Sequence, residues 1–170
     1  MKKNRNHVPE KNHLPLYGVG PIYVYIIIAA TAAGIIFSKF KIIPYASLSV
    51  IKMILLIIGA LSIAAGAVLW FSAVFRAKID DGITNNKLVT SGVYALVRNP
   101  IYSAFLFFCT GVLMIYGNLW LLILPVLYWL FLSVLMKCTE EKWLKNLYGA
   151  EYEEYCRRVN RCIPWFPKKR

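Results

Sequence analysis

Three apolar runs decide what this chain can fold into. Residues Pro21 to Ser38, Val50 to Phe75 and Pro100 to Met136 are long and nearly free of charge, and a bilayer core about 30 Å thick asks for about 20 such residues per helical crossing. In lipid every backbone N–H and C=O must be bonded within the protein, which for runs of this length means helices. The third run has almost twice the length of one crossing. It breaks at Tyr116-Gly117-Asn118, because Gly and Asn favour turns, and its arms at 100–116 and 119–137 then form a hairpin. The expectation is an all-α integral membrane protein of about four transmembrane helices, with spans 3 and 4 paired as a helical hairpin.

Charge supplies the orientation. Hydrophobic residues make up 59% of the 170, charged ones 16%, and the formal net charge is +12. With four spans, seventeen of the twenty Lys and Arg fall on one side, leaving Lys39, Lys41 and Lys52 for the other. The positive-inside rule then puts both termini in the cytoplasm. Membrane topology accounts for the basic balance, so no nucleic-acid partner is expected. The N-terminal tail, which contains Pro9 and Pro15, reads as uncleaved, because no small-residue processing pattern follows the first apolar run. Both histidines, His7 and His13, lie in that tail, and Cys109, Cys138, Cys156 and Cys162 form no CxxC pair. Neither disulfides nor a metal are expected. Gly18 and Gly20 precede Pro21 with no strand before them, which does not fit a dinucleotide fingerprint.

The second span carries Gly59, Ala60, Ser62, Ala64, Ala65, Gly66 and Ala67, small residues that let helices approach closely. A long loop, 76–99, follows it, and functional loops are the usual exception to short connections. Beyond the hairpin, "TEEKWLKNLYG" and "AEYEEYCRRVNRCIP" read as amphipathic cytoplasmic helices separated by a C-cap at Gly149. Glu141 and Lys145, Glu153 and Arg157, and Glu154 and Arg158 are spaced for pairing one helical turn apart. The closing "IPWFPKKR" has the aromatics and cations of an interfacial anchor.

The hairpin returns to the side it left, so Arg98–Tyr102 at its start and Lys137–Glu141 at its end become neighbours. Asn99 suits an N-cap and Pro100 the first helical turn. The same helix start exposes N–H groups beside Arg98, both suited to a carboxylate. Glu140 and Glu141 can accept from an ammonium or from hydroxyls, and Tyr94 and Tyr102 offer faces to a cation or a base. A ligand carrying carboxylate, ammonium, sulfonium and adenosine would engage all of them.

"GVYALVRNPIYSA", followed about 40 residues later by "EEKWLKNLYGAEYEEYCRRVNRCIPW", resembles the isoprenylcysteine carboxyl methyltransferases and related phospholipid methyltransferases. Their signature is Arg-His-Pro-x-Tyr-x-Gly and a later Glu-Glu ahead of Phe-Gly-x-x-Tyr. The resemblance implies a membrane methyltransferase in one domain, with a polar tail (1–20), two spans (21–75) and a cofactor-binding core (76–170). By position it implies that S-adenosyl-L-methionine is bound by Tyr94, Arg98, Asn99, Pro100, Tyr102, Glu140 and Glu141. Asn99 stands where the signature has His and Ala104 where it has Gly, and Asn cannot titrate. A methyl group on sulfonium is already activated, so the protein's task is to position the acceptor and exclude water. Arg98 and Glu141 are the expected catalytic residues, Glu141 as a base where burial raises its pKa, with Lys137 or Arg161 as further orienting cations. The acceptor would be lipophilic or small: a prenylcysteine-like carboxylate, a thiol or a lipid headgroup. The alternatives are an NADPH-dependent reductase of sterol-reductase-like architecture and a small transporter; the lack of acidic residues inside the spans argues against the transporter.

Overall fold

The computed structural model describes residues 18–47, 49–76 and 88–167. The tail with both histidines, residues 77–87 of the long loop and the last three residues lie outside the described residues. Among those described, the elements are helical: α1 (Gly20–Lys39), α2 (Ser49–Arg76), α3 (Pro100–Tyr116), α4 (Ile123–Cys138), α5 (Glu140–Tyr148) and α6 (Ala150–Arg158). Short 3-10 turns at Gly92–Ala95 and Leu119–Leu122 precede α3 and α4. Three apolar stretches, Gly20–Lys39, Ser49–Phe75 and Leu119–Tyr148, are long enough to cross a membrane. The α3 helix is shorter at 17 residues, which at about 1.5 Å per residue reaches roughly 25 Å. The chain is an all-α integral membrane protein whose exposed leucines, isoleucines and phenylalanines face where lipid would be.

The α2–α3 pair is the tightest contact of the bundle, and glycine makes it so. A Cβ on Gly111 would lie 2.6 Å from the Gly59 carbonyl oxygen, and one on Gly59 would lie 2.8 Å from that of Gly111. Two turns further along, a Cβ on Gly66 would meet the Ala104 carbonyl at 2.8 Å. Ala104 is fully buried there, so the small residue that the resemblance places on α3 is matched by a glycine on α2. The Ser62 hydroxyl donates to the Phe107 carbonyl at 2.8 Å and adds a polar fastening between the two helices.

The hairpin forms where Gly and Asn place it. Gly117 takes φ 78° and ends α3 in the left-handed conformation that costs other residues most. Asn118 is fully buried, and its side-chain oxygen accepts from Trp120 N–H and Ala46 N–H. Its amide donates to Ser38 Oγ at 2.8 Å and to the Pro44 carbonyl. One side chain thus fixes the hairpin turn to the α1–α2 link. At the other end Gly149, at φ 55°, separates α5 from α6. Lys145 pairs across that turn with Glu153 at 2.6 Å rather than along its helix with Glu141, because Glu141 is engaged elsewhere. Glu154 and Arg158 do pair one turn apart, at 3.6 Å.

Substituting Gly111→Ala forces α2 and α3 apart, and overpacking of this kind costs about 1–3 kcal/mol. Thermal unfolding in detergent should show a lowered midpoint for Gly111→Ala and none for Ala60→Leu on the exposed face of α2.

Candidate functional site

The polar groups gather at one end of the bundle, where α1 and α3 begin and α4 ends. Just before α3 the chain runs from Leu96 to Asn99 beside the segment after α6. Val97 and Asn160 form a parallel bridge, Arg98 N–H donates to the Asn160 carbonyl at 2.9 Å, and Trp165 N–H donates to the Leu96 carbonyl at 3.0 Å. Asn99 occupies the N-cap position of α3 without capping it by its side chain. Its amide instead donates to the Arg161 carbonyl at 3.1 Å. The residue that replaces the signature histidine therefore anchors the segment that carries Arg161.

That anchoring brings two guanidinium groups to one carboxylate. Arg98 Nη2 lies 3.1 Å from Glu141 Oε1, and Arg161 grips both oxygens, Nε to Oε1 at 2.5 Å and Nη2 to Oε2 at 2.9 Å. The Arg98 and Glu141 side chains are 8% and 14% exposed. The second Arg98 Nη donates to Cys156 Sγ, while Arg98 Nε is buried without a partner among the described residues. Two cations around one anion leave the knot net positive, with an N–H still to be satisfied.

Glu140 has a different environment. Tyr102 Oη donates to its Oε1 at 3.0 Å, and it accepts the backbone N–H groups of Val19 and Gly20 at the start of α1. A Cβ on Gly18 would lie 2.3 Å from Glu140 Oε1, and one on Gly20 would lie 2.0 Å from the Tyr102 ring. The Gly-x-Gly pair that fits no dinucleotide fingerprint is required here, because Glu140 and Tyr102 fill the space where side chains would stand. An acid on α5 thereby caps α1 from outside, satisfying orphan N–H groups and meeting the positive end of the helix.

Tyr94 joins this end through its carbonyl, which accepts from Tyr155 Oη at 2.6 Å. Burial, with Glu140 nearby, pushes the Tyr94 phenol up to about 12, so it remains a neutral donor at physiological pH. Burial also pushes up the Cys156 thiol, although the Arg98 guanidinium pulls the other way. Pro100 is buried at the first position of α3. The expected residues are thus brought together in two groups, Arg98 with Glu141 and Tyr102 with Glu140; Asn99 joins the first through Arg161. Lys137 is exposed at the end of α4. Sequence reading missed Gly18, Gly20, Cys156 and Asn160, and the short spacing of the two glycines was the one local signal available. Among the described residues no cluster of His, Cys, Asp and Glu could hold a metal.

The fold and site are those of a helical membrane protein with a cationic, partly unsatisfied knot at one end of its bundle. Over residues 50–151 the sequence matches the phospholipid methyltransferase family, and the chain belongs to it. It is 35% identical over 96 residues to a probable protein-S-isoprenylcysteine O-methyltransferase of Oryza sativa subsp. indica, covering 56% of this chain and 48% of that protein. The protein-S-isoprenylcysteine O-methyltransferase of Schizosaccharomyces pombe is 38% identical over 81 residues, 47% of this chain and 34% of its own. Protein-S-isoprenylcysteine O-methyltransferase B of Arabidopsis thaliana is 35% identical over 82 residues, 48% of this chain and 41% of its own. The matches span half or less of the length of these relatives. No solved structure matches the chain.

Removing the shared carboxylate with Glu141→Gln leaves two guanidinium groups crowded together, and breaking a buried pair costs about 3–5 kcal/mol. Unfolding midpoints should fall well below those of Glu153→Gln, whose pair is exposed. Because its thiol is raised and only part-exposed, Cys156 should react with maleimide at neutral pH more slowly than exposed Cys138. Peptide mapping after timed labelling checks the order.

Proposed function

We propose that this chain transfers a methyl group from S-adenosyl-L-methionine to the carboxylate of a lipophilic, prenylcysteine-like acceptor at the cytoplasmic membrane face. The observation that carries the reading is the Arg98–Glu141–Arg161 knot, net positive and with a buried Arg98 N–H that has no partner among the described residues. Such a group fits a carboxylate, which accepts from guanidinium in strong charge-assisted bonds. Arg98, with the start of α3 at Asn99 and Pro100, would hold the carboxylate of the methyl donor, and Tyr94 and Tyr102 would flank the rest of it. Glu140 would contribute while still fastening α1. S-adenosyl-L-methionine, when bound, supplies an activated methyl group on sulfonium.

The chain's own residues do the positioning. Both oxygens of Glu141 are engaged by arginines, so its role in this reading is to hold two guanidinium groups in place rather than to take a proton. A carboxylate acceptor needs no base, and an ionised acceptor is drawn to Arg161 at the rim of the knot, where that side chain is 27% exposed. Hydrocarbon has its own place. A groove of about 520 Å³ opens between α2, α3 and α4, lined mainly by apolar side chains such as Leu61, Phe107 and Trp129. The names of the relatives, isoprenylcysteine O-methyltransferases, support an acceptor with a carboxylate and an isoprenoid chain. The family match favours methyl transfer over the reductase and transporter alternatives. The charge asymmetry supports cytoplasmic termini.

The test uses tritiated methyl donor and S-farnesyl-N-acetylcysteine with purified protein in phospholipid nanodiscs. Label released as methanol by mild alkali is the expected result, since methyl esters are base-labile. Base-stable label would reassign the acceptor to a thiol or an amine headgroup. Arg98→Ala should lower kcat/KM by about a hundredfold or more, the scale of losing a preorganised electrostatic contact.

A further inference from the structure

The segment after α6 serves two regions at once. Asn160 pairs with Val97 in the parallel bridge and its carbonyl accepts from Arg98 N–H, the Arg161 carbonyl accepts from the Asn99 amide, and Trp165 N–H donates to the Leu96 carbonyl, so residues 160–165 form a strap pinned along its length. From this strap Arg161 reaches Glu141 in the polar knot. Cys162 is buried, its Sγ 3.9 Å from Ser133 Oγ on α4. Ile163, the next residue, lines the membrane groove, and the other lining residues come from α2, α3 and α4. Along α3 the groove runs from Leu106 to Met114, about 12 Å at ~1.5 Å per residue. One residue of the strap, Cys162, thus separates the arginine at the knot from the isoleucine whose side chain lines the groove.

We propose that Ile163 is a specificity-determining residue: it stands at the junction of knot and groove and sets which hydrocarbon chains can run into the bilayer from a carboxylate held at Arg161. This rests on the methyl-transfer reading for its substrate, while its structural content stands on the groove. The occupant is a chain with an anionic end. The groove is apolar, the knot carries two arginines for one glutamate, and a single strap contributes to both. An ordinary bilayer lipid would use the groove without needing the strap. Ile163 is half exposed and strapped by backbone bonds on both sides, so exchanging its side chain leaves the strap's own hydrogen bonds in place.

Two measurements on the full chain in phosphatidylcholine nanodiscs test the proposal. The first compares kcat/KM for S-farnesyl- and short S-prenyl-N-acetylcysteine. Ile163→Trp should lower the farnesyl-to-prenyl ratio about tenfold, the lower end of what one misfit in an apolar pocket achieves, while Ile163→Val keeps it. The second needs no turnover: an S-alkylcysteine with benzophenone at its chain end is photo-crosslinked and mapped by mass spectrometry. Adducts are expected on Leu106–Met114 or Trp129, lost in Ile163→Trp. Unlabelled farnesylcysteine acid should displace the probe better than its decarboxylated analogue. Adducts insensitive to Ile163→Trp, or equal displacement by acid and analogue, overturn the proposal and leave a general lipid furrow. Groove adducts with the expected sensitivity but without methyl transfer would instead sink the functional reading and leave the groove assignment standing.

Discussion

One carboxylate holds the working end of this molecule together. Glu141 stands on α5, Arg98 just before α3 and Arg161 on the strap after α6, and the carboxylate ties the three segments together. A buried anion between two cations does so by direction as well as by charge, since Arg161 takes both oxygens and leaves room for Arg98 on one of them. Removing Glu141 strands two cations in a poorly solvated place, whereas removing either arginine leaves a neutral pair. The excess cation that remains is the feature on which an anionic ligand can act.

Around that knot the bundle supplies rigid supports. The glycine contacts of α2 and α3 fix where α3 begins, and Asn118 fixes its far end to the α1–α2 link. Glu140 draws the start of α1 onto Tyr102. The amphipathic α5 and α6 are joined at Gly149 and fastened by Lys145 to Glu153. The starts of α1, α3 and α5 and the strap after α6 therefore meet at one end of the bundle through polar contacts.

Much of this was legible in the residues. The span lengths, the break at Gly117-Asn118 and the return of Glu140 and Glu141 to Arg98 all follow from local chemistry and from hairpin geometry. Partner choice did not follow, because it depends on residues far apart in the chain. Glu141 is spaced to pair with Lys145, yet two arginines claim it. Asn99 is a good cap by type, yet its amide serves Arg161. Gly18 and Gly20 looked like an incidental pair until Glu140 and Tyr102 came to lie against them. Ala104 departs from the family signature, and only the packing shows Gly66 opposite it.

The chain belongs to the phospholipid methyltransferase family, and in the proposed reading the positive knot takes the carboxylate of the methyl donor while the apolar groove takes the acceptor's hydrocarbon. The central claim is that Arg98 forms the donor's carboxylate site. Isothermal titration of the purified protein with S-adenosyl-L-methionine tests it most directly. Saturable binding that persists in Lys142→Gln, an exposed change on α5, and disappears in Arg98→Gln is the predicted result. Undiminished binding by a folded Arg98→Gln protein would contradict the account.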